Sequence, residues 1–293
     1  MKTRKELRMA RNVAAVVAFT FGMAACTQSE EPAVAAKVPH TPVNVMAGVQ
    51  GVQTRAAGID AAGEGFNDDT EITILDKNGP SLKAVFTKTA DGWTADNAMY
   101  WDDMTPDNGK TTYSFVGIYP KDASLTYKVK DAELLMAITD NQAAKAEAVA
   151  FDFKHVLSKF TVKVTADASF TSIDAPVITL VNIHESATFK YEANAQKFAT
   201  FDLVGEATGV YASENPTNVS KVVTYEYLLP AQTITNVNFD ATGLETYKYN
   251  GSVVLAQGKN TTLNLTLSRT GLKSESVTID PWGVGDTESG TLN

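Results

Sequence analysis

Apolar and polar residues alternate at period two along most of this chain, the pattern of strands with one buried face. In 43–53 the odd positions are Val43, Val45, Ala47, Val49, Gly51 and Gln53, and the even ones are mostly polar or small. Further strands are predicted over 71–76, 82–88, 111–119, 124–129, 156–165, 177–183, 187–191 and 198–204, then over 221–229, 233–239, 244–249, 252–256 and 261–268. In the last of these, Leu263, Leu265 and Leu267 alternate with Asn264 and Thr266. Asp91-Gly92 and Pro120-Lys121-Asp122 supply turn residues. Only 131–150 lacks strand character; its Ala-rich stretch 141–148 reads as a short helix or a long loop. The fold class is therefore all-β, antiparallel, with a domain boundary near residue 150 and enough strands in each half for a sandwich.

The first 25 residues break the pattern. Residues 1–11 are basic, 13–25 (VAAVVAFTFGMAA) are apolar and small, and Cys26 follows. This is the layout of an export signal, with an apolar run too short to span a bilayer comfortably. Cys26 is the only cysteine of 293 residues, so no internal disulfide forms. A Cys directly after Ala-Ala resembles a bacterial lipobox, with Met23 where Leu is usual. That resemblance implies cleavage before Cys26 and lipidation of its sulfur. The following TQSEE is acidic and resembles the export tag of surface lipoproteins, and Pro32, Pro39 and Pro42 mark 27–42 as a tether.

Charge narrows the partners. The net charge is −9, and −13 once the first 25 residues, with five basic and one acidic side chain, are removed. So acidic a chain is a poor match for nucleic acid or an anionic membrane surface. Three histidines, His40, His155 and His184, form no catalytic or metal-binding pattern, and there is no phosphate loop, nucleophile elbow or HExxH. His155 reads as a structural histidine and His184 as a turn residue. The acidic loop Asp102, Asp103, Asp107, Asn108 has oxygen ligands but no EF-hand spacing, and Pro106 interrupts it; a solvated turn is the better reading than a Ca²⁺ site. Trp93 and Trp101 fit a sandwich core better than a sugar-binding face, and Trp282 fits a cap on the last sheet. No enzyme activity, cofactor or metal is expected.

Several motifs then coincide. A lipobox and spacer precede an alternating strand ending in Thr54-Arg55-Ala56. Tyr100-Trp101 precedes Asp102. Midway lies Phe151-x-Phe153-Lys154-His155-x-Leu157-Ser158-Lys159-Phe160, and the chain closes with Ile279-Asp280-Pro281-Trp282-Gly283. Together these resemble the fimbrillin family, the type V pilins of Bacteroidales, over essentially the whole chain. The resemblance implies two tandem transthyretin-like β-sandwich domains. Its divisions would be a signal peptide at 1–25, a lipid-anchored propeptide at 26–55, an N-terminal sandwich at 56–150 and a C-terminal sandwich at 151–293. It also implies an outer-membrane and cell-surface pilus subunit exported through the periplasm as a lipoprotein anchored at Cys26. An Arg-specific, trypsin-like protease would cut between Arg55 and Ala56. Loss of the strand carrying Val43, Val45, Ala47 and Val49 would open an edge that a strand from another pilin subunit fills. The expected donor is C-terminal, with Val277, Ile279, Trp282 and Val284 as its apolar residues, although Pro281 restricts that strand to an edge. The alternative is a pilus tip or surface lipoprotein adhesin whose partner is a host glycan or protein.

Overall fold

The computed structural model describes residues 38, 40–49, 65–121, 125–190, 200–213, 221–282 and 290–291. Among these the chain forms β1 (Val45–Val49), β2 (Glu71–Asp76), β3 (Lys83–Thr89), β4 (Gly92–Ala95), β5 (Thr112–Tyr119), β6 (Thr126–Lys128) and β7 (Leu135–Ala143). There follow β8 (Val149–His155), β9 (Ser158–Ala166), β10 (Val177–Ile183), β11 (Ser186–Lys190), β12 (Thr200–Val204), β13 (Gly209–Ala212) and β14 (Val222–Leu229). The last are β15 (Thr233–Ile234), β16 (Asn236–Asp240), β17 (Tyr247–Tyr249), β18 (Val253–Val254), β19 (Lys259–Ser268), β20 (Gly271–Pro281) and β21 (Gly290–Thr291). A single 3-10 turn at Trp101–Asp103 is the only helical element among the described residues. The protein is all-β, as the alternation predicts.

The first sheet has seven strands in the order β1-β8-β7-β5-β2-β3-β4. Its central strands are buried on both faces, and period two sorts their side chains between two cores. On β5, Tyr113, Phe115 and Tyr119 enter one core, while Val116 and Ile118 enter the other. Gly117 is glycine because a Cβ there would stand 2.6 Å from Phe153 Cζ. On β7, Leu135 and Ala137 face the first core and Leu134 and Met136 the second. This corrects the reading of 131–150 as helix or loop. A strand wetted on neither face is a continuous apolar run, here Leu134 to Ala137, and shows no alternation. Pairing with β5 then carries the strand on through Asp140 and Asn141 against their local preference.

Beyond Val156 and Leu157 the chain leaves the first sheet. A five-stranded sheet, β14-β9-β19-β20-β21, faces a four-stranded one, β13-β10-β16-β17. Their inner faces close the largest core, in which Phe160, Val162, Val164, Leu263, Leu265 and Phe239 are among the buried residues. Residue 150, the expected boundary, lies within β8. The remaining core lies where the back of the first sheet meets the three-stranded sheet β12-β11-β6 and Trp282.

Candidate functional site

The N-terminal strand has backbone neighbours on two sides. Before β1, Val43 N–H donates to Met99 O at 2.8 Å and Trp101 N–H donates to Thr41 O at 3.1 Å, with Pro42 bridged to Tyr100. From Asn44 the chain switches partner. Val149 N–H donates to Asn44 O at 2.8 Å, the Asn44 amide donates to Ala146 O at 2.7 Å, and β1 runs parallel to β8. The register sets Val45 beside Val149, Ala47 beside Phe151 and Val49 beside Phe153. Val43, Val45 and Val49 are buried in the first core and Ala47 packs half-buried against it, whereas Met46 points out at 59% exposure. β1 also lies against β4, the opposite edge of its own sheet. The strand therefore fills the seam where a curled sheet meets itself, over Trp101, Phe151 and Phe153.

Its leading end is clasped. His40 Nδ1 lies 3.0 and 3.1 Å from the two carboxylate oxygens of Asp102. The His40 ring stacks on Tyr100 with centroids 4.0 Å apart and planes 12° from parallel. Sequence reasoning noted His40 and Asp102 separately and gave neither this role. The available signal was a histidine three residues before the first buried valine and an aspartate in the Tyr-Trp-Asp motif.

Cys26, Arg55 and Ala56 lie outside the described residues. So does Val284.

At the other end of the chain, Val277 and Ile279 are half-buried in β20. They pair across to Leu263 and Thr261 of β19. Trp282 is 6% exposed, and its N–H donates to Gly258 O at 3.1 Å. Its ring stacks on His155 at 4.0 Å and 5°. His155 Nδ1 in turn meets Glu133 Oε1, and both side chains are 1% exposed. His155 Nε2 and Glu133 Oε2 have no hydrogen-bond partner. This buried pair ties β8 and the β6–β7 connection to the end of β20. His155 is thus structural, as expected. Glu133 carried no sequence signal, since it stands 22 residues away in an unremarkable Asp-Ala-Glu-Leu-Leu run.

A cleft of about 440 Å³ adjoins Trp282, lined among others by Tyr127, Tyr211, Tyr225, Tyr227 and Lys130. Three of these phenols donate to backbone carbonyls: Tyr127 to Leu228 at 3.0 Å, Tyr225 to Pro176 at 2.6 Å and Tyr227 to Ile178 at 2.9 Å. Burial pushes the Tyr127 and Tyr227 hydroxyls above the usual phenol range. The Lys130 ammonium lies 5.1 Å from the Tyr211 ring centroid.

The acidic loop braces itself. Buried Asp76 accepts Asn78 N–H at 2.9 Å and Thr105 N–H at 2.7 Å. Asp107 accepts the Asn78 amide and the Thr112 hydroxyl, each at 2.9 Å. Partial burial raises the Asp107 carboxyl. Hydrogen bonds from Ser114, Asn78 and Thr112 and the Lys110 charge outweigh it, so the group sits below the usual carboxylate range. Trp101 is fully buried and donates from Nε1 to Lys145 O at 2.9 Å, while Trp93 is half-buried edge-on to Phe66.

The sequence model of a family described as Fimbrillin-like matches residues 54–282. No curated protein sequence matches the chain. Among solved structures, a candidate cell adhesion protein from Bacteroides uniformis aligns at a TM-score of 0.58 and 20% identity, covering 82% of this chain and 99% of its own. A second, from Bacteroides ovatus, aligns at 0.57 and 16% identity, covering 85% and 100%. At these identities the likeness establishes the fold alone.

Proposed function

The chain belongs to the fimbrillin-like family, and from that premise we propose that it is a fimbrial subunit assembled by β-strand complementation after removal of its first strand. Membership supports a structural role in fimbriae or adhesion at the cell surface. In the finer reading the precursor is exported as a lipoprotein through Cys26, reaches the outer membrane, and is cut between Arg55 and Ala56 by an Arg-specific, trypsin-like protease. One observation carries the reading. Val43, Val45 and Val49 are buried at the edge of the first sheet, in a segment joined to the sheet by backbone hydrogen bonds and packing. A peripheral strand is the kind that leaves without dismantling the fold. Its departure exposes the unpaired edge of β8 and an apolar seam, which is a template for another strand.

The C-terminal donor is the less supported part of the reading. Val277 and Ile279 are paired within their own sheet and Trp282 is stacked on His155. Donation of that stretch costs the chain those contacts.

A glycan adhesin is the second reading, favoured by the tyrosine-lined cleft. Three of its phenols are committed to backbone carbonyls and Lys130 covers the Tyr211 ring, so few groups face a sugar. Strand complementation is the better reading.

Brief trypsin treatment of the 26–293 form, with N-terminal sequencing and size analysis, tests it. The expected product is a stable fragment starting at Ala56 that forms SDS-resistant ladders, and Arg55→Ala abolishes both. Unchanged maturation and assembly of Arg55→Ala refutes the site.

A further inference from the structure

We propose that Asp102 and Tyr100 select the strand that takes the place of β1, by requiring a cationic side chain three residues beyond its last apolar anchor. This rests on the strand-release reading above.

The register leaves little freedom. Residues 41–43 are hydrogen-bonded to 99–101, and 44–49 to β8, so a strand seated in the seam has its end fixed. In the intact chain that end carries His40, three residues before buried Val43 and about 10 Å along an extended backbone. Its ring covers Tyr100 and its Nδ1 bonds to the Asp102 carboxylate. Departure of the plug uncovers a carboxylate beside an aromatic face, with the exposed carboxylate of Asp103 next in sequence. A cation satisfies both, through a charge-assisted hydrogen bond and the negative face of the ring. A carboxylate on the incoming strand is repelled there.

The same chemistry excludes one obvious donor. Residues 283–293 of this chain carry Asp286 and Glu288 and no Lys, Arg or His. The occupant that fits is therefore a donor strand of a different kind of subunit, bearing Lys, Arg or His at that point.

The test uses the chain cut at Arg55 and fluorescent peptides of sequence 38–49, unaltered or carrying His40→Arg, His40→Ala or His40→Glu, with binding read by anisotropy. The Arg peptide is expected to bind at least as tightly as the His peptide and roughly three- to tenfold more tightly than the Ala peptide. The Glu peptide and a 277–293 peptide bind more weakly still. Asp102→Asn collapses the spread, and Asp102→Lys reverses the order of Arg and Glu. Equal binding of all four peptides within twofold overturns the proposal, as does an order that survives Asp102→Asn. A cut chain that neither loses its first strand nor takes up any peptide overturns the strand-release reading and this inference with it. Uptake without charge preference overturns this inference alone.

Discussion

Glu133→Ala tests the junction between the first sheet and the C-terminal strand. Glu133 and His155 are each 1% exposed at the side chain, and the His155 ring is also stacked on Trp282. Removing the carboxylate leaves His155 buried with both ring nitrogens unsatisfied and opens a void beneath it. Breaking a buried pair from one side costs about 3–5 kcal/mol. At about 2–4 °C per kcal/mol for a chain of this size, the midpoint falls by roughly 6–20 °C. A paired control separates the charge from the packing. Glu133→Met with His155→Phe keeps similar volume, keeps an aromatic ring under Trp282 and removes both polar groups. It is expected within about 1 kcal/mol of the wild type, or above it, because neither charge must then be desolvated. Urea unfolding followed by circular dichroism gives the stabilities. Acrylamide quenching of tryptophan fluorescence reports whether Trp282 has loosened. A Glu133→Ala cost below about 0.5 kcal/mol, or a double variant no more stable than the single one, would refute the reasoning.

Three further outcomes are expected. Val45→Asp places a carboxylate in the first core and unseats β1, so the Val149 amide, which donates to Asn44 O, loses hydrogen-exchange protection by more than about tenfold while β9 and β19 stay protected. Gly117→Ala forces a methyl against the Phe153 ring and Ile74, costing about 1–3 kcal/mol in denaturant unfolding with little change in m. Asp107 is held below the usual carboxylate range, so its contribution is present at neutral pH and is lost as pH falls through its lowered pKa. The stability gap between wild type and Asp107→Asn, under about 1 kcal/mol for so exposed a group, is therefore open at pH 7 and closed near pH 2.

Most of the secondary structure is legible because a strand with one wet face writes its geometry into the chain. β2 (Glu71–Asp76) and β10 (Val177–Ile183) follow from alternation and local composition to the residue. So does the inward set Val43, Val45 and Val49. The order of motifs sufficed for the family, since such elements sit at fixed places in the chain. Tertiary structure decided what depends on pairing across distance. β7 was hidden because both its faces are buried, which erases the period-two signal. That β1 pairs parallel to β8, some hundred residues on, follows from how the sheet curls, and no local pattern encodes it. Glu133 and His155 are unrelated in sequence until β6, β8 and the end of β20 converge. His40 and Asp102 meet only because 41–43 zips against 99–101. Side-chain periodicity is a property of one strand and can be read along it. Charge pairs and aromatic stacks belong to surfaces made by two or more strands, and they exist only once the fold has brought those strands together.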